Sequence, residues 1–221
     1  MAKKNKLSVY IALDRSGSMA GERWIHAIDS INNYIIGLKK EKIEGNVTVV
    51  AFDYGQELRL ETIVEDQSIA YYEPINQNVL QPAGMTPLYD ASANIMDRAI
   101  QNNAKRTVVV IMTDGEENSS KEYTQSSIKS KVKTLTDRNW EVIFLGANFD
   151  VSSYTAASGL ASTKFRTVDM HNLNSRVSWT ADLTSNTIAY TTAGTSMNMS
   201  GAPTKANKEI QLVNLPQIRR K

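Results

Sequence analysis

Two kinds of hydrophobic run alternate along the chain. Residues 7–13 (LSVYIAL), 47–52 (VTVVAF), 108–112 (VVVIM) and 140–147 (WEVIFLGA) are nearly unbroken apolar stretches with no usable period-2 alternation. Such runs read as strands covered on both faces. Between them the apolar residues recur at steps of three and four. Trp24, Ala27, Ile28, Ile31, Tyr34, Ile35 and Leu38 predict a helix over 22–40; Leu88, Ala91, Ile95, Ala99 and Ile100 predict a second; Ile128, Val132 and Leu135 supply the stripe of a third. Residues 57–64 differ, because charged and apolar side chains alternate there at first. That pattern suits an antiparallel edge strand with one wet face, its charges blunting the edge.

The boundaries carry their own signals. Thr86 followed by Pro87 reads as an N-cap and first helical position, which places Thr86 at the start of the second helix. Ser119 with Glu122 three residues on has the spacing of a capping box for the third. Further along, a short helix over 151–158 is stopped by Gly159, residues 164–168 form a last edge strand, and 173–193 form a final helix. Its thin stripe is Leu173, Val177, Ala181 and Ile188. Strands alternating with helices predict an α/β fold: a Rossmann-like, doubly wound, mostly parallel six-stranded sheet with one antiparallel edge strand and helices on both faces.

Candidate chemistry collects where two of the buried strands end. The first runs straight into Asp14-Arg15-Ser16-Gly17-Ser18, and the strand at 108–112 into Thr113-Asp114-Gly115-Glu116-Glu117. In open parallel sheets ligands gather beyond the carboxyl ends of the central strands, so two carboxylates arrive at the ligand-binding edge. Taken alone, an acid and two serines after a strand serve equally well as a helix cap. Thr86 in Gly84-Met85-Thr86-Pro87-Leu88 adds a third hydroxyl. Mg²⁺ takes six oxygens in near-ideal octahedral geometry and keeps some of its waters, which suits neutral hydroxyls with two acids close by.

The order Asp14-x-Ser16-x-Ser18, then Thr86, then Asp114 resembles the von Willebrand factor A domain and its metal-ion-dependent adhesion site. The likeness runs over about 7–173, and the helix at 173–193 fits the family's last helix. It implies that Ser16 and Ser18 ligate Mg²⁺ through their hydroxyls, Thr86 directly or through water, and Asp14 and Asp114 mostly through water. Mn²⁺ or Ca²⁺ are alternatives. It further implies a protein partner that presents an Asp or Glu carboxylate to the ion, and a free-standing bacterial or phage-encoded domain that is not an enzyme. Arg15, Glu116 and Glu117 are expected as solvated rim residues. His26 and His171 have no second ligand nearby in sequence and are expected as structural or surface residues, and the Tyr71-Tyr72-Glu73-Pro74 stretch as packing.

Composition narrows the rest. The 221 residues, 41% of them hydrophobic, suffice for one sizeable core, read as a domain over 1–194 with a tail over 195–221. A net charge of +2 is too mild to announce a nucleic-acid binder. The tail is locally basic, with Lys205, Lys208, Arg219, Arg220 and Lys221 against Glu209, and it also carries the apolar cluster Ile210, Leu212, Val213, Leu215 and Ile218. A nucleic-acid-associated factor using this arm is therefore an alternative function. With no cysteine there is no disulfide framework and no thiolate metal site. The first residues lead into no secretory apolar segment and no run is long enough to span a membrane, so the expected location is cytoplasmic. A Mg²⁺-dependent phosphohydrolase is the remaining alternative. Against it stand the absence of a Gly-rich phosphate loop and a serine, Ser16, where enzymes that form an aspartyl phosphate carry a second acid.

Overall fold

A computed structural model describes residues 6–148, 159–161 and 164–200. The short helix expected over 151–158 and the basic and apolar positions of the tail beyond Ser200 lie outside the described residues.

Six strands form one sheet in the order β3-β2-β1-β4-β5-β6: β1 (Leu7–Asp14), β2 (Gly45–Tyr54), β3 (Leu58–Ser68), β4 (Arg106–Thr113), β5 (Glu141–Ala147) and β6 (Phe165–Val168). All neighbours are parallel except β2 and β3, whose antiparallel pairing sets Asp53 opposite Arg59. The doubly wound sheet with one antiparallel edge strand is thus as expected. Every residue of β1 is buried, which explains its lack of alternation. Its odd-numbered apolar residues join one core layer and Tyr10 and Ala12 the other.

Four helices are described: α1 (Glu22–Lys40), α2 (Leu88–Asn102), α3 (Gln125–Thr136) and α4 (Leu173–Ala193). Helices α1 and α4 cover one face, α2 and α3 the other. The strand order reverses between β1 and β4. Both neighbours of β1 run parallel to it, so their connections leave toward opposite faces and a crevice opens at their carboxyl ends. Asp14 and Asp114 lie there.

The final helix occupies its expected span but buries a different face. Leu173 and Val177 are 59% and 41% exposed, while Trp179, Thr180, Leu183, Thr184, Thr187, Tyr190 and Thr191 turn inward. Threonine works here because the helix absorbs its hydroxyls: Thr180, Thr184 and Thr191 each donate to the carbonyl four residues back, at 2.7, 2.8 and 2.7 Å. The Thr184 methyl is left to face α1 at Gly37. Beyond Gly194 the chain stays on the body, with Met197 and Met199 buried in the same core layer. Lys164 and the Glu141 carboxylate hold the Met197 backbone at 2.8 and 3.2 Å.

The 72–84 segment delivers the Thr86 loop, and Trp24, Asp29, Asn32 and Lys39 of α1 pin it, Asn32 most fully. Asn32 donates to the Ile75 carbonyl at 3.0 Å and accepts from the Ile75 N–H at 2.8 Å and the Tyr72 hydroxyl at 2.6 Å. Tyr72 is core, in keeping with its expected packing role, whereas Tyr71 is exposed. Replacing Asn32 by Leu strands three buried polar groups, each costing about 1–3 kcal/mol. The Asn32→Leu variant is expected to lose about 2–4 kcal/mol in urea unfolding, the summed penalty being partly relieved by water entry.

Candidate metal centre

Asp14 is fully buried at the end of β1, and its two oxygens have different tasks. Oδ1 accepts the Ser16 N–H at 2.7 Å, turning the chain back over the strand end. Oδ2 accepts the Thr113 hydroxyl at 2.7 Å and so ties β1 to the end of β4. The same hydroxyl lies 3.0 Å from the Gly115 carbonyl. Asp114 then reaches back across the crevice: its Oδ1 accepts the Ser18 hydroxyl at 2.6 Å. Ser16 and Ser18 Oγ are 3.1 Å apart and share a hydrogen bond.

Thr86 joins from the third segment. Its N–H donates to Asn118 Oδ1 at 2.8 Å and its carbonyl accepts the Asn118 N–H at 3.1 Å, which locks it to the Asp114 loop. The first loop is joined to the same segment by Gly17 N–H to Gly84 O at 3.0 Å and Ala83 N–H to Arg15 O at 2.9 Å. Gly84 has a φ of +79°, and a Cβ there would sit 2.3 Å from the Tyr54 carbonyl, so no other residue fits without moving backbone. Hydrogen bonds thus link Asp14, Ser16, Ser18 and Asp114, and the segment that carries Thr86 is tied to both of their loops. A Cβ built on Gly115 would lie 3.6 Å from Thr86 Oγ1 and 4.0 Å from Ser18 Oγ. Hydroxyls from two segments thus flank the Gly115 backbone. All the donors are oxygens, which suits a hard cation. Among the described residues no three His, Asp or Glu side chains converge on a metal-sized space, so a cation here depends on the hydroxyls.

Four expectations about neighbouring residues are corrected. Thr86 is not the cap of α2: the helix begins at Leu88 after Pro87, and its first amides are taken by others. Tyr89 N–H donates to Glu117 at 2.8 Å and to Ser120 Oγ at 3.1 Å. Glu117 is therefore no solvated rim acid, since it also accepts the N–H groups of Ser119 and Ser120 at 2.8 and 2.7 Å. In return Asp90 accepts the amides of Lys121, Glu122 and Tyr123 at 2.7, 3.1 and 2.8 Å. With these amides held by side chains the segment stays a loop, and α3 starts later than Ser119 implies. Its capping box is Thr124 with Ser127.

Arg15 is the fourth correction. It is buried, with Nε 2.6 Å from Asp53 and Nη1 2.9 Å from Glu61; Arg59 pairs with the other Asp53 oxygen. Sequence reasoning missed Asp53 and Arg59, whose one available signal was an acid at the end of β2 facing charges on an alternating strand. Of the two histidines, His171 is exposed and His26 is half-buried in α1.

The chain belongs to the von Willebrand factor type A domain family, which it matches over residues 8–180. No curated protein matches the sequence significantly. Solved structures share the fold at low identity. The proximal thread matrix protein 1 from the mussel byssus is 15% identical with a TM-score of 0.60, over 81% of this chain and 45% of that one. This chain therefore spans under half of that protein. The manganese-loaded TRAP protein of Plasmodium vivax is 16% identical (TM-score 0.54, 79% of this chain and 72% of that chain). The vWF domain of the type V pili tip protein Mfa5 from Porphyromonas gingivalis is 11% identical (TM-score 0.61, 93% and 100%). Domains of this family often mediate protein–protein interaction and metal-dependent binding.

Burial dominates the Asp14 carboxyl, pushing it up to about 6, against the lowering effect of the Ser16 and Thr113 hydrogen bonds; the nearby Asp114 charge pushes it the same way as burial. A carboxyl raised in the folded state costs stability when ionised: the penalty is absent below its ordinary value of 3.8, grows up to about 6, and is complete above. Asn at position 14 keeps the network, because its oxygen accepts the Ser16 N–H while its amide donates to Thr113, whose hydrogen then serves the Gly115 carbonyl. Without divalent cations, Asp14→Asn is expected to be more stable than the parent at pH 7.5 by on the order of 2–3 kcal/mol, with the difference fading toward pH 4. Chemical denaturation at the two pH values in EDTA checks it.

Proposed function

We propose that this domain is a divalent-cation-dependent protein-binding adaptor, in which Asp14, Ser16, Ser18, Thr86 and Asp114 hold Mg²⁺, with Mn²⁺ or Ca²⁺ as substitutes. The observation that carries it is the gathering of oxygens at this edge of the sheet: the Thr86 and Ser18 hydroxyls flank Gly115, Ser16 and Asp114 each hydrogen-bond the Ser18 hydroxyl, and Asp14 holds the Ser16 amide behind them. Bound there, the ion supplies a Lewis-acidic position for an Asp or Glu carboxylate of a protein partner. The chain's own residues do the positioning. Asp14 fixes the turn that presents Ser16, Asn118 fixes Thr86, and the Asp53 pair with Arg15 holds the first loop from behind. Because Ser16, Ser18 and Thr86 are neutral, only two carboxylates offset the ion, which leaves it charge to spare for the partner's acid.

Turnover is not part of this reading. Asp14 is enclosed and bonded on both oxygens, so it is not presented as a nucleophile to an incoming phosphate.

The test has a direct arm and a partner arm. Isothermal titration with Mg²⁺ and Mn²⁺ is expected to show one site in the parent and none in Ser16→Ala. Gly115→Ala, whose methyl meets only ordinary contacts, is expected to fold normally and weaken binding by about tenfold, 1.4 kcal/mol. Immobilised protein is expected to retain a lysate partner in Mg²⁺ and release it in EDTA, with Ser16→Ala retaining none. Titrations that show no cation binding by the parent, or partners that stay bound in EDTA, overturn the reading.

A further inference from the structure

One cation of the chain already touches the candidate metal site. Arg23, in the first turn of α1, places Nη1 3.0 Å from Asp114 Oδ2 and 3.0 Å from the Ser18 carbonyl. The Asp114 side chain is completely enclosed, with Ser18 on one oxygen and Arg23 on the other, whereas the Arg23 side chain is 37% exposed. Arg15 is committed elsewhere, to Asp53 and Glu61. Among the described residues Arg23 is thus the basic side chain paired with a carboxylate of this site. It differs from Arg15 in a way that matters. Arg15 is sealed under the first loop, whereas Arg23 comes from a helix surface and needs to turn only its own side chain to leave.

The geometry points to Arg23 as a tethered competitor: its guanidinium neutralises Asp114 and braces the Ser18 backbone when no ion is bound, and thereby lowers the site's affinity for divalent cations. This rests on the metal-binding reading above and adds its regulation. Both carboxylates at this edge, Asp14 and Asp114, are enclosed, and among the described residues no basic side chain pairs with Asp14. Such a pair needs positive charge nearby, and Arg23 supplies one unit permanently. Every divalent ion that loads must therefore bind beside that charge or displace it from Asp114, and both routes cost affinity. The site would then load at higher cation concentration than its five oxygen ligands alone dictate.

The experiment is a set of Mg²⁺ and Mn²⁺ titrations by calorimetry on the full chain at fixed ionic strength, comparing the parent with Arg23→Ala, Arg23→Lys and Ser16→Ala. Thermal unfolding in EDTA and in Mg²⁺ accompanies each. Arg23→Ala is expected to bind roughly tenfold more tightly than the parent, the scale of one unit charge acting on a divalent ion across a few ångströms of hydrated surface. It is expected to melt lower in EDTA, because enclosed Asp114 loses its counter-charge, and to gain more from Mg²⁺ than the parent does. Arg23→Lys, which keeps the charge, is expected to bind like the parent. Arg23→Gln keeps a donor and most of the stem, and stands in if the alanine variant fails to fold.

Arg23→Ala or Arg23→Gln binding no more tightly than the parent overturns the proposal, as does Arg23→Lys binding as tightly as alanine. If the parent binds, Ser16→Ala does not, and Arg23→Ala equals the parent, only the role of Arg23 falls. If neither the parent nor any Arg23 variant binds either ion, the metal reading falls with it.

Discussion

Everything at the carboxyl edge of this sheet depends on one enclosed carboxylate. Asp14 joins the first loop to its own strand through the Ser16 amide and joins β1 to β4 through Thr113, so it closes the crevice from below while shaping its floor. The cost is a negative charge held away from water, seen in the upward displacement of its carboxyl. A group retained at that cost is well placed for function, because stability alone would favour a neutral isostere. The surrounding bonds read as accommodation of this charge: Ser16, Thr113 and, through Asp114, Ser18 all direct hydrogens toward the two acids.

Much of the fold was legible because burial leaves a plain trace. Strands enclosed on both faces show as unbroken apolar runs, and β3, wet on one face, shows as alternation. The last helix was located but turned the wrong way. Its inward face is built from threonines that satisfy their own hydroxyls on the backbone, and a hydropathy scale counts those as polar. Helix starts failed for a related reason. Thr86-Pro87 and Ser119 carry local capping signals, yet Glu117, Ser120 and Asp90, brought in from other segments, take the amides first.

The candidate site divides along the same line. The five oxygen-bearing residues sit at ends of elements whose order the pattern of runs already fixes, so their convergence was readable. The charges that hold them were not. Arg15 looks like an exposed loop residue until β2 and β3 pair and place Asp53 and Glu61 within its reach. Arg23 sits in the first turn of an amphipathic helix, and its meeting with Asp114, 91 residues away, belongs to the tertiary structure alone.

The exchange between Asp90 and Glu117 makes α2 and the 117–123 segment one mechanical piece, since each caps the other's free amides. A surface loop between a strand and a helix is ordinarily the part of a domain most open to replacement. Here it is not an independent module. A loop transplanted from a relative without an acid at position 117 would uncap α2, and one that presents its amides differently would leave Asp90 enclosed and unpaired. Sequence change in this loop is therefore tied to change in the helix behind it, and the Thr86 shoulder of the crevice, carried by Asn118, moves with both.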